Sequence, residues 1–102
     1  MGRRVIWTAE AVASYERIIE HLKQNWTDRE VLKFIEAVEA TERTIVRFPR
    51  GSRRSEDGRY HEMTIIPHNI MIYSVRGDRI IVHVIWDTRR DPRTRKRKGP
   101  RG

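Results

Sequence analysis

Three side chains in the second half of the sequence are candidates for moving a proton in a reaction: His61, Glu62 and His83. Arginine is far more abundant here, but it is a poor general acid or base because its pKa lies above about 12. A zinc site built on His61 and His83 is not expected, because no third ligand accompanies them and the chain contains no cysteine. We therefore expect no metal and no cofactor, and any chemistry at these residues would be metal-free acid–base chemistry.

Both histidines also have an ordinary structural interpretation. His83 interrupts an apolar run, where a lone histidine is more often a hydrogen-bonded structural residue than a catalyst. Strict alternation along this run places His83 on the face of Ile81 and Ile85, opposite Val82, Val84 and Trp86. His61 stands between Tyr60 and Glu62, a position that we expect near the edge of a cleft, and its structural interpretation is an ordinary exposed strand residue.

Positive charge is concentrated at the C-terminus. The chain of 102 residues has a net charge of +8, and residues 89–102 hold eight Lys and Arg against a single Asp. This segment carries +7, which leaves +1 for residues 1–88. Because residues 93–102 offer almost nothing apolar to pack, we expect one domain over residues 1–92 and a flexible basic tail over residues 93–102.

A basic tail on a nearly neutral body suggests a negatively charged partner, either nucleic acid or an acidic protein segment. The alternative is a solvated tail that only keeps the protein soluble. Four arginines before the β-rich region could extend the same basic surface, although a solvated loop would have the same composition: Arg50, Arg53, Arg54 and Arg59.

Apolar periodicity predicts two helices after a first short strand. The strand covers Val5 to Trp7, and Thr8 can cap the helix that follows it. Thr27 and Glu30 match a capping box that begins a second helix, which Pro49 ends. The apolar stripes of both helices favour a helix hairpin that packs on one face of a sheet.

Three β-rich runs follow, with short connections that favour an antiparallel meander: residues 60–66, 70–75 and 79–86. The predicted class is α+β, a helix hairpin on a small antiparallel sheet of four strands in the order β-α-α-β-β-β. The expected core consists of Trp7, Tyr15, Ile18, Leu22, Phe34, Val38, Phe48, Val82 and Val84. The sequence has neither a membrane-spanning apolar run nor a signal peptide, so we expect a cytoplasmic protein without a membrane partner.

This order of elements, together with four short segments, resembles the RelE/ParE toxin superfamily. The segments are Trp7-Thr8 before the first helix, Phe48-Pro49-Arg50-Gly51 after the second, Ile72-Tyr73-Ser74-Val75 in the sheet and residues 86–92, Trp-Asp-Thr-Arg-Arg-Asp-Pro. The resemblance covers residues 3–92. It implies a toxin of a bacterial type II toxin–antitoxin system, of the kind associated with plasmid stabilisation, that inhibits growth until a cognate antitoxin neutralises it.

The resemblance implies two alternative targets. RelE-like members cleave mRNA on the ribosome without a metal, and for such an enzyme the resemblance assigns catalytic roles to His61, Arg59 and Arg89. ParE-like members bind and poison DNA gyrase. The RelE-like pattern is incomplete here, since Ile70 stands where a basic residue would be expected and the tail has no Tyr or His.

We therefore favour a ParE-like gyrase inhibitor slightly, with a ribosome-dependent mRNA endonuclease as the alternative. A non-toxic nucleic-acid-binding module is the second alternative. In each case the expected contacts to target or antitoxin come from Arg54, Arg59, Arg89, Arg90, Arg93, Arg95 and Lys96.

Overall fold

The computed structural model describes residues 3–89, and its elements follow the predicted order with one short strand added. They are β1 (Arg4–Trp7), α1 (Ala9–Asn25), α2 (Asp28–Arg47), β2 (Arg53–Arg54), β3 (His61–Ile66), β4 (Asn69–Arg76) and β5 (Arg79–Asp87). The strand that the sequence did not predict is β2, whose two residues pair with the start of β3. The α+β class is confirmed.

A side-chain cap is present at the start of α1 and absent at the start of α2. The Thr8 hydroxyl accepts a hydrogen bond from the amide of Ala11 at 3.0 Å and so caps α1 as predicted. At the start of α2 the Thr27 side chain makes no capping hydrogen bond, so the predicted capping box is not formed. The backbone carbonyl of Thr27 accepts from the Glu30 amide instead.

The sheet has the strand order β1-β5-β4-β3-β2. β3, β4 and β5 form the predicted antiparallel meander, and β2 extends it antiparallel to β3. β1 joins the same sheet at the opposite edge but runs parallel to β5, because the helix hairpin is the long crossover that a parallel pair requires. The sheet is therefore mixed and five-stranded rather than antiparallel and four-stranded.

Both helices pack on one face of this sheet. The buried residues of that core are Ala11, Ile18, Phe34, Val38, Ile45, Met71, Tyr73, Ile80, Val82 and Ile85. Trp7, Tyr15 and Leu22 pack against it while remaining half-buried. The prediction was wrong for Phe48, which is 60% exposed: it caps the end of α2, and its ring lies 5.7 Å from the guanidinium carbon of Arg47.

A β-bulge at His83 overturns the predicted alternation in β5. Ile72 pairs with Val84 and Tyr73 pairs with Val82, which leaves His83 as an extra residue on β5. Beyond the bulge the faces exchange, so Val84 packs with Ile70 and Ile72 on the face without helices, which we call the open face. Trp86 packs in this second cluster, and Ile85 faces the helices. The prediction that placed Ile85 on the face of His83, opposite Val84 and Trp86, was therefore wrong.

Helix α1 satisfies the backbone groups of β5 beyond the end of β1. The Thr8 hydroxyl donates to the carbonyl of His83 at 3.0 Å, and the Ser14 hydroxyl accepts from the amide of Ile85 at 2.9 Å. These bonds replace the ladder that β1 would have supplied. Within residues 3–89, neither helix is long and apolar enough to cross a membrane.

Candidate functional site

The loop that carries most of the early arginines is anchored to the sheet by Tyr73. The fully buried Tyr73 hydroxyl donates to the carbonyl of Pro49 at 2.9 Å and lies 2.6 Å from the Ser52 hydroxyl. Since its only proton goes to Pro49, Ser52 must be the donor in the second bond. Burial raises the pKa of Tyr73 above its ordinary value, so the phenol remains a donor at neutral pH.

His61 lies beneath this loop rather than at an exposed edge. Its side chain is 4% exposed, and its ring stacks on Tyr73 with centroids 5.3 Å apart and planes inclined by 19°. Burial, and then the positive charges of Arg54 and Arg50, lower the pKa of His61. The ring is thus neutral at pH 7, and its buried Nδ1 has no hydrogen-bond partner within residues 3–89. The interpretation of His61 as an exposed strand residue was wrong. Residues two apart on a strand share a face, and Met63, two residues after His61, packs against the helix-facing core, so its apolar side chain was the signal for an inward-facing His61.

Arg54 and Arg59 are exposed near His61. Arg54 pairs with His61 in the β2–β3 ladder. Asp57 organises the turn that follows, because its Oδ1 accepts from the Ser55 hydroxyl at 2.7 Å and from the Arg59 amide at 3.1 Å. The Arg59 guanidinium is 72% exposed and lies 3.9 Å from Asp57, a weak pairing that leaves it available to a partner.

Arg89 lies at the other end of the sheet. Its amide donates to Asp87 Oδ1 at 3.0 Å and its Nε lies 3.8 Å from the same oxygen, so the expected Asp–Arg pairing of this turn is present. Asp87 is four register steps along the strands and two strands across from His61. The backbone positions are therefore about 16 Å apart.

The proposed RelE-like catalytic set is consequently not gathered into one site: Arg59 is two residues before His61 in the chain and contacts Asp57, and Arg89 lies at the other end of the sheet. The remaining residues expected to contact a target or antitoxin lie outside the described residues: Arg90, Arg93, Arg95 and Lys96. Within residues 3–89 there is no group of three His, Cys, Asp or Glu side chains that could hold a metal ion.

A second group of polar side chains, which sequence reasoning did not assemble, lies on the open face. His83 Nε2 is 2.8 Å from the Ser74 hydroxyl, and the Tyr60 ring meets the His83 ring edge-on with centroids 5.1 Å apart. Burial, followed by the charge of Arg76, lowers the pKa of His83. His83 thus has the hydrogen-bond partner expected of a structural histidine, and the bulge explains why a period-two pattern missed its neighbours.

The sequence of residues 5–92 matches the family model of the ParE toxin of type II toxin–antitoxin systems, parDE. The chain belongs to the ParE toxin family. It is accordingly a toxin of a type II toxin–antitoxin system, and membership in this family implies an antitoxin as its partner. The matched segment contains every helix and strand described above except the first residue of β1.

Solved toxin structures share the fold of this ParE toxin. A chromosomal ParDE toxin–antitoxin structure from P. aeruginosa superposes with a TM-score of 0.71 at 19% identity, covering 83% of this chain and 95% of the other. A YoeB/ParE toxin from Agrobacterium tumefaciens gives 0.59 at 16% identity, covering 82% and 96%. A YoeB dimer from Staphylococcus aureus gives 0.58 at 14% identity, covering 82% and 94%. No curated protein sequence matches this chain significantly.

Proposed function

We propose that this ParE toxin inhibits growth by binding DNA gyrase and stabilising its broken DNA, without cleaving RNA itself. The observation that supports the proposal is the dispersal of the residues that RNA cleavage would need. A metal-free nuclease must bring a base, an acid and cations to one phosphate. Here His61 is buried and neutral, and Arg89 belongs to a turn about 16 Å away across the sheet.

Binding a protein target requires a less specific arrangement of side chains than cleaving RNA does. Arg54 is exposed just after the loop that Tyr73 holds in place, and Arg59 is exposed in the turn that Asp57 organises, so both charges are presented on an ordered support. A protein target needs complementary charges and apolar anchors, but it does not need groups converging on one atom. The exposed arginines of this domain are suited to that role.

Two assays performed on one preparation test the proposal. The toxin is incubated with gyrase, ATP and supercoiled plasmid, and linear DNA is scored after denaturation of the enzyme. In parallel it is added to a translating extract, and mRNA ends are mapped by primer extension. We expect linear DNA that depends on both gyrase and toxin, with mRNA ends unchanged. Toxin preincubated with its antitoxin is the control in both assays.

The opposite pattern would contradict the proposal: mRNA cut between codon positions, with no gyrase-dependent breaks. One observation favours this second candidate function, a RelE-like nuclease, because His83 on the open face has a lowered pKa and lies near Arg76. The variant H83Q separates the two. It should abolish RNA cleavage if His83 is the base, and should leave gyrase poisoning intact if the protein acts by binding.

We also propose that the antitoxin meets this domain through acidic side chains directed at Arg59, Arg89 and Arg90. Arg59 and Arg89 are both largely exposed. The backbones of their neighbours His61 and Asp87 are about 16 Å apart, so an antitoxin that contacts both arginines must be an extended segment. The charge reversals R59E and R89E should each weaken antitoxin binding measured by calorimetry, and R29E on α2 is a matched control. Unchanged affinity in both variants would refute the electrostatic part of the proposal.

A further inference from the structure

Three arginines stand side by side on three neighbouring strands at one end of the sheet. In the register of the strands, Arg4 of β1 pairs with Arg79 of β5, and Arg79 pairs with Arg76 of β4. The adjacent residue on each strand packs toward the helix-facing core: Val5, Ile80 and Val75. Because successive side chains of a strand alternate, all three arginines belong to the open face, where they form what we call the arginine row.

The arginine row is held in place by the hairpin beside it. Gly77 adopts a φ of 62°, which the tight turn between Arg76 and Arg79 requires. The carbonyl of Asp78 in the same turn accepts a hydrogen bond from the amide of Arg4 at 2.9 Å. One turn thereby sets the position of all three strands that carry the row.

Stability alone does not favour this arrangement. Like charges directly opposite each other on neighbouring strands are destabilising, and here there are two such pairs in one row. All three side chains are exposed, and no ion pair within residues 3–89 neutralises any of them. Three positive charges that have no ion pair within residues 3–89 therefore form a surface that would attract an anionic ligand.

The surface next to the row is suited to a nucleic acid. Tyr60 and His83 are half-buried aromatic rings on the same face, and the buried Ser74 hydroxyl holds His83 in place. The positive charge of Arg76 is close enough to lower the pKa of His83. Contacts to phosphates and stacking of bases on aromatic rings are usual components of nucleic-acid recognition on a sheet. An extended peptide, by contrast, is recognised at a strand edge through its backbone, whereas the row lies across three strands whose backbones pair with each other.

We propose that Arg4, Arg76 and Arg79 bind consecutive phosphates of a nucleic-acid strand laid across the open face. Neighbouring strands are about 5 Å apart, so the row spans about 10 Å. Three consecutive phosphates span about 7 Å along the axis of a helical strand, and the long arginine side chains can bridge the difference. Guanidinium groups suit this ligand because their planar donors match phosphate oxygens. The row is separate from Arg89, which follows the other end of β5, and the proposal does not rest on the choice of gyrase as the target.

Fluorescence anisotropy with the full chain tests the proposal, using a labelled oligoribonucleotide, a single-stranded DNA of the same sequence and its duplex. The row variant carries R4Q, R76Q and R79Q. The matched control carries R17Q, R29Q and R43Q, which remove the same charge from exposed positions on the helices. Dissociation constants are measured over a series of salt concentrations, and thermal unfolding is recorded for each protein.

We expect the row variant to lose about tenfold or more in affinity for the preferred nucleic acid, and its salt slope to fall by about 2, since each phosphate contact on a single strand contributes about 0.7. The control should change far less. The melting temperature of the row variant should be equal to or above that of the wild type, because the like-charge pairs are gone. The polymer that shows the largest difference identifies the ligand as RNA, single-stranded DNA or duplex.

Three outcomes would overturn the proposal. Equal losses in both variants would mean that binding depends on overall charge and not on the row. Undiminished binding by the row variant would exclude the row as a contact. Unchanged nucleic-acid affinity combined with weakened antitoxin binding would assign the row to an acidic protein partner instead.

Discussion

Replacing Tyr73 by Phe should loosen the arginine-bearing loop without disturbing the core. The ring of Tyr73 is fully buried and stacks on His61, and Phe preserves that packing. What is lost is one hydroxyl, which donates to the carbonyl of Pro49 and accepts from Ser52. Both partners belong to the segment that leads from α2 into β2.

The loss in free energy of unfolding depends on the hydrogen-bonding groups that the Tyr73 hydroxyl leaves without a partner. Pro49 is buried, so its carbonyl loses a partner that water cannot readily replace. An unsatisfied buried acceptor costs about 1–3 kcal/mol, and Ser52 can turn toward solvent at little further cost. With about 2 kcal/mol lost and an m-value of about 1–3 kcal/mol/M for a domain of this size, the urea midpoint should fall by roughly 1 M.

Urea unfolding followed by tryptophan fluorescence measures this loss. The matched control is Y60F, because the Tyr60 hydroxyl makes no hydrogen bond within residues 3–89 while its ring stays against His83. We expect Y60F to lie within about 0.5 kcal/mol of the wild type. If Y73F and Y60F unfold at the same urea concentration with unchanged m-values, the hydroxyl of Tyr73 does not anchor the loop.

Three further outcomes are expected. S14A should lower the free energy of unfolding by about 1–3 kcal/mol and accelerate hydrogen exchange of the Ile85 amide, which loses its buried acceptor; an unchanged exchange rate would contradict the role given to Ser14. Because the folded-state pKa of His61 lies below its ordinary value, the free energy of unfolding should have its full value above about pH 6.5 and decrease as the pH falls below it. Chemical unfolding at about pH 7.5 and pH 5.5 measures this decrease, which should be smaller in H61F than in the wild type. F34A should cost about 3–5 kcal/mol in thermal unfolding and F48A less than about 1 kcal/mol, and similar losses would contradict the exposure of Phe48.

The class of the fold and the order of its main elements, all except β2, could be predicted from the sequence because they depend on local rules. Apolar residues at helical spacing, the cap at Thr8 and the stop at Pro49 depend on neighbours within a few positions of the chain. The short connections between the last three strands left an antiparallel meander as the simplest pairing. The same local segments carried the resemblance to the toxin family that the family model also supports.

Which side chains meet could not be predicted from the sequence, because these contacts depend on how the strands pair and the helices pack. The bulge at His83 depends on the pairing of β5 with β4 and on hydrogen bonds from α1, so no count along β5 could reveal it. The dispersal of His61 and Arg89 and the alignment of the arginine row depend on the strand register across the sheet. Register is fixed by burial of one face and by turn geometry, and it brings together residues far apart in the chain, which a linear sequence does not record.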